Sequence, residues 1–131
     1  MFDADKVLQT ICYLLSLNNK KMNLLKLMKE LYLIDRLSIQ ETNFSLSGDE
    51  HYSLNHGPVL SATKNLLEDL GRDSNNYWDI FLTKKRSKYY PDICLINEID
   101  TDCLSKKDME YIQNISDKYK NYNEWDLQNY T

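Results

Sequence analysis

Two histidines, His51 and His56, stand five residues apart on either side of Tyr52 and Asn55, and they are the only imidazoles in the chain. Histidine changes charge near neutral pH, and a buried carboxylate can orient it, so Asp35, Tyr52 and His56 could combine in acid–base work. The same residue types also make a polar network that pins a corner of the chain to a core helix. No Ser or Cys stands beside a histidine in a nucleophile pattern, and no Gly-rich loop is built to cradle phosphate. Two imidazoles with scattered carboxylates give no metal-ligand pattern. The residues thus point to no enzyme, no metal and no cofactor. A second group is the run KKRSKYY, in which Lys84, Lys85, Arg86 and Lys88 precede Tyr89 and Tyr90. Such a run could touch nucleic acid by charge and stacking. In a chain of net charge −4 and pI near 5.1 it reads instead as a solvated hairpin tip, and nucleic acid is disfavoured as the main partner.

The histidines fall in a stretch, residues 48–70, that joins a polar extended segment to a helix through Gly57 and Pro58. Pro58 suits a first helical position, because its missing N–H would be unpaired there, and Gly57 can adopt the entry angles. Val59, Leu60, Ala62, Leu66, Leu67 and Leu70 recur at helical spacing, and Gly71 is placed as a left-handed stop, so a helix is expected over residues 58–70. Asp35 is expected to anchor this helix start, with Tyr52 packed against it.

The element that must hold the corner is a helix over residues 24–40, with Asn23 as N-cap and Met22 with Leu27 as a staple. Leu24, Leu25, Leu27, Met28, Leu31, Tyr32, Ile34 and Ile39 cover about half its circumference, as in a helix packed on several sides. Asp35 lies inside that arc and needs a partner: backbone N–H groups, Tyr52 or His56. Leu33 and Leu37 lie on the opposite, polar face, where they could join a partner surface with His51, His56, Lys84, Lys85 and Arg86.

Around this helix, Asp3 and Asp5 open a first helix that ends near Asn18. Residues 77–82 (YWDIFL) and 93–96 (ICLI) read as two strands of an antiparallel hairpin, and 51–54 (HYSL) as a third short strand. Ser105, Asp108, Leu104 and Met109 carry a capping-box and staple signature for a fourth helix striped by Ile112, Ile115, Tyr119 and Tyr122, and Asn123 caps a short last one. The expected fold class is α+β, mainly α: about five helices around a central core helix, with a small antiparallel hairpin or three-stranded sheet.

A length of 131 residues fits one domain, 1–131. The longest apolar runs fall well short of a membrane span and no cleavable signal pattern precedes them, so a soluble cytoplasmic protein is expected. Cys12, Cys94 and Cys103 are odd in number and lack CxxC spacing, which suggests neither a disulfide framework nor a zinc knuckle; Cys12 and Cys94 read as core residues.

Three blocks, LLKLMKELYLIDR (24–36), GDEHYSLNHGPV (48–59) and LSKKDMEYIQNISDKYKNYNEWDLQNYT (104–131), resemble in order and spacing the hallmark blocks of the Panacea, or SocA-like, domain. The resemblance implies an antitoxin, common in bacteria and their phages, that neutralises a cognate toxin often by direct contact. Lys29, Tyr32, Asp35, Arg36, Asp49, Tyr52, Gly57, Pro58 and Val59 match its motif by position, and most are expected to build the fold. His56 falls at a position variable in that family. The family usually continues with a His after the Thr matched by Thr131, so the resemblance implies a tail that is either missing or lies beyond Thr131. Other uses of the scaffold are a phage-borne protein acting on a host defence factor and a nucleic-acid-binding regulator.

Overall fold

Asp3 caps the first helix, α1 (Ala4–Ser16), by accepting the Lys6 amide at 3.1 Å, and Asp5 adds charge where the helix dipole favours it. The computed structural model describes residues 1–54, 57–72 and 76–130, and of residues 52–54 and 128–130 the backbone only. After α1 the chain turns through Asn19 and Lys20, both at positive φ, into a strand the sequence did not announce, β1 (Lys21–Asn23). It is three residues long and largely polar, too short to show an alternation. Asn23 then caps α2 (Leu24–Thr42), its side chain accepting the Leu25 amide at 2.9 Å.

The stretch after α2 differs from expectation. Residues 51–60 form a two-stranded antiparallel hairpin, β2 (His51–Leu54) with β3 (Gly57–Leu60), and α3 begins only afterwards, spanning Ser61–Glu68. Pro58 is therefore a strand residue and not a helix start. It sits in a hairpin that is not extended into a larger sheet, where a residue without an N–H is tolerated. Gly57 has φ +101°, open to glycine at little cost.

Residues 77–80 are a single 3-10 turn (Tyr77–Ile80) instead of a strand. The Asn76 side chain accepts the Trp78 amide at 3.1 Å and the Asp79 carboxylate accepts the Gly71 amide at 2.9 Å. These side-chain bonds give the backbone an alternative to a ladder and override the aromatic β-preference, while Trp78 is driven into the core with no exposed surface. The hairpin follows one turn later, as β4 (Leu82–Lys85) and β5 (Asp92–Leu95), and the sheet order is β1-β5-β4. The third strand of the sheet is thus β1, and residues 51–54 pair elsewhere.

Helix α4 (Lys106–Lys118) opens on the full capping box: Ser105 Oγ accepts the Asp108 amide and the Asp108 carboxylate accepts the Ser105 amide, both at 2.9 Å. Asn123 and Asp126 repeat that exchange at the start of α5 (Glu124–Tyr130). The described part of the chain therefore holds five α-helices and a small three-stranded antiparallel sheet, an α+β architecture that is mainly α. Helix α2 lies at its centre, packed against α4, α5, β1 and β3. The core joins Leu8, Ile11, Leu14 and Leu15 of α1 to Leu27, Leu31 and Ile34 of α2, Leu67 of α3, Ile93 of β5, Ile112 of α4 and Leu127 of α5.

Candidate functional site

Asp35 is buried in α2, and its carboxylate is fully engaged by the loop that follows that helix. Ser45 Oγ donates to it at 2.7 Å, the Ser47 amide at 2.8 Å, and His51 Nε2 lies 2.6 Å from its Oδ2. Burying a carboxylate is costly unless such donors replace its water, so Asp35 in effect folds residues 45–51 around itself. The expected backbone partner is present. The histidine partner is His51, whose ring also meets Tyr32 edge-on at 5.1 Å between centroids. His56 and the Tyr52 side chain lie outside the described residues.

A second carboxylate does what Asp35 was expected to do. Leu60, the residue before α3, offers no capping side chain, and Asp49 supplies one from across the hairpin. Its oxygens accept the amides of Ala62 at 2.9 Å and Thr63 at 2.8 Å, and the Thr63 hydroxyl at 2.8 Å. These are two of the amides a helix start leaves without partners. Between Asp35 and Asp49 runs Gly48, at φ +68°, over which the chain start passes so closely that a Cβ would lie 2.0 Å from the Met1 carbonyl oxygen.

Lys29 links α2 to the hairpin: with no exposed surface, its Nζ donates to the Pro58 carbonyl at 3.1 Å. Burial lowers its pKa to about 8. The adjacent Glu30 is equally buried, and neither of its oxygens has a hydrogen-bond partner among the described residues. Desolvation raises its pKa to about 8, against a weaker opposing pull from Lys26, whose ammonium stands 3.8 Å away. The carboxyl is therefore protonated around neutral pH. Sequence reasoning passed over Glu30, although a charged residue between Leu27 and Ile34 on a helix packed on several sides was the available signal. The Ser45 hydroxyl was also missed, and only the fold brings it to Asp35.

The arrangement holds a histidine against a buried carboxylate, yet the serine nearest that carboxylate donates to Asp35 itself, and no hydrogen bond joins Ser45 to the imidazole among the described residues. No group of three or more His, Cys, Asp or Glu among the described residues could hold a metal ion. Lys29, Asp35, Asp49, Gly57 and Pro58 are thus brought together by internal bonds and close packing, and Val59 is buried beside them. Arg36 of the same helix is exposed.

The residues expected on a partner surface separate. Leu33 is buried and Leu37 half-buried, because α4 covers this face of α2; both line a shallow depression with Ile115 and Tyr119. Ile39, expected inside, is exposed near the helix end. Lys84 is not part of a free basic tip, since its Nζ donates to the Glu68 carbonyl at the end of α3, at 2.6 Å. Lys85, Arg86 and Lys88 remain exposed, as does His51 in part. No described helix is long and apolar enough to cross a membrane.

The family model described as antitoxin SocA-like, Panacea domain matches residues 27–131. No curated protein and no solved structure gives a significant match.

Proposed function

The chain belongs to the antitoxin SocA-like, Panacea domain family, and on that premise we propose that it is a non-catalytic antitoxin that binds a cognate toxin protein and neutralises it by direct contact. The supporting observation is that the motif residues Lys29, Asp35 and Asp49 spend their bonding capacity inside the fold. Asp35 is taken up by Ser45, Ser47 and His51, Asp49 by the start of α3, and Lys29 by the Pro58 carbonyl. Groups so occupied support a scaffold, and recognition then falls to the exposed surface around it, consistent with a partner that is a protein. The net charge of −4 weighs against a role centred on nucleic acid.

Co-expression with the product of the adjacent gene tests the proposal. The expected outcome is restored growth of cells carrying the toxic neighbour, together with co-purification of the two proteins. A toxic neighbour that is neither bound nor neutralised would overturn it.

A further inference from the structure

An apolar cavity of about 120 Å3 opens where the first turns of α2 meet β3, α3 and the loop between β4 and β5. Leu25, Met28, Val59 and Tyr90 are among its walls, with Lys64 and Glu68 on its polar side. We propose that this cavity is a docking point for an acidic segment of a partner protein, which seats one aliphatic or aromatic side chain in it. The proposal rests on the antitoxin reading only in taking that partner to be the toxin.

Size and lining select a side chain over a cofactor. A cavity of roughly 150 Å3 lined by aliphatic groups accepts a benzene ring, whereas small-molecule sites are usually about 300 Å3 or larger. The polar groups at this place bind one another: Lys64 Nζ meets the Glu68 carboxylate at 2.7 Å, and Lys84 Nζ takes the Glu68 carbonyl at 2.6 Å. What the cavity offers an entering group is contact with Leu, Met and Val.

Charge selects the flanks of that segment. The loop that supplies Tyr90 also carries Arg86 and Lys88 and leaves β4 at Lys85, all three exposed, in a chain that is acidic as a whole. The start of α2 adds the positive end of a helix dipole to the same region. Tyr89, 68% exposed, packs edge-on against Trp125 at 6.0 Å, so aromatic surface stands next to the basic groups. Aromatic residues and arginine around an apolar pocket are the composition that anchors protein interfaces. A nucleic acid would meet the same cations and leave the aliphatic cavity unfilled.

The test uses methyl-labelled full-length protein titrated with a short synthetic peptide in which leucine is flanked by Asp and Glu. Methyl resonances of Leu25, Met28 and Val59 are expected to shift. Replacing the peptide leucine by alanine should weaken binding about tenfold or more. The variant Lys85→Glu/Arg86→Glu/Lys88→Glu should also bind more weakly and with a flatter salt dependence. Unmoved methyls would overturn the proposal. So would equal binding of a Lys-flanked peptide, the same shifts produced by a single-stranded oligonucleotide, or shifts that follow the protein's own concentration and so mark a second copy. Growth rescue is scored separately with the same triple variant. Binding without rescue by the wild type removes the antitoxin reading alone, and full rescue by the variant removes the docking site alone.

Discussion

Glu30 and Lys29 show how far two neighbouring residues of one helix can be displaced in opposite directions by the same cause. Burial favours the neutral form of each, so Glu30 rises and Lys29 falls, both to about 8. For Glu30, the folded state holds a proton that the unfolded chain releases above its ordinary value of 4.5. Its contribution to stability is therefore full below that value and is lost as pH rises to about 8. Glu30→Gln should be more stable than the wild type by an amount that grows between those two pH values and then levels, as urea unfolding at a series of pH values would register. Lys29 acts in the other direction: its buried charge is a cost below pH 8, relieved as pH rises toward 10.5. Asp35 gives a contrast, because removing it leaves the buried Ser47 amide and the Ser45 hydroxyl without their acceptor. Asp35→Ala should cost about 3 kcal/mol or more, and His51→Ala less, since Asp35 keeps its two serine donors. Comparable losses for the two variants in urea unfolding would show that the imidazole holds the loop.

Among the elements, α3 depends most on something outside itself. It spans Ser61–Glu68, has no capping side chain at its own Leu60, and takes its cap from Asp49. A helix this short is marginal alone. Asp49→Ala should cost about 1–2 kcal/mol and speed hydrogen exchange of the Ala62 and Thr63 amides, with α4 unaffected. Unchanged protection at those amides would mean that packing of Leu67 suffices to hold the helix. The elements also differ in how legible they were in sequence. α1, α2 and α4 were readable because cap residues and an apolar stripe agree over many residues, as with Ser105, Asp108 and the isoleucines of α4. The corner at Gly57 was misjudged as a helix start because the residues that decide it are distant: β3 pairs with β2, and the cap arrives from Asp49. Residues 77–80 were misjudged since the Asn76 and Asp79 side chains compete locally with strand pairing, an effect that an aromatic-rich composition hides. Asp35 was legible as a buried carboxylate in need of donors, whereas the identity of those donors depends on a loop path with no periodicity to announce it.

The whole molecule divides into a buried polar scaffold around α2 and an exposed basic and aromatic corner where α2, α3, the β4–β5 loop and α5 converge. In that division Lys29 and Asp49 fix where the corner stands, while Lys85, Arg86, Lys88 and Tyr89 stay exposed. The division predicts that the Lys85→Glu/Arg86→Glu/Lys88→Glu variant keeps the wild-type melting temperature within about 5 °C, since exposed substitutions away from bonded networks rarely exceed about 0.5 kcal/mol each. A larger drop on thermal melting would place those side chains in the fold instead. Beneath the corner lies the pairing of β1 with β5, which joins Met22 to Ile93 across about seventy residues of chain. Closing so long a loop costs entropy before the strand contacts return anything, so this pairing is expected to form after the helices, which draw on near neighbours. During synthesis β1 therefore waits with its edge unpaired until β5 has emerged. Ile93→Val should accordingly speed unfolding while leaving the refolding rate nearly unchanged, giving a chevron shifted on one arm only.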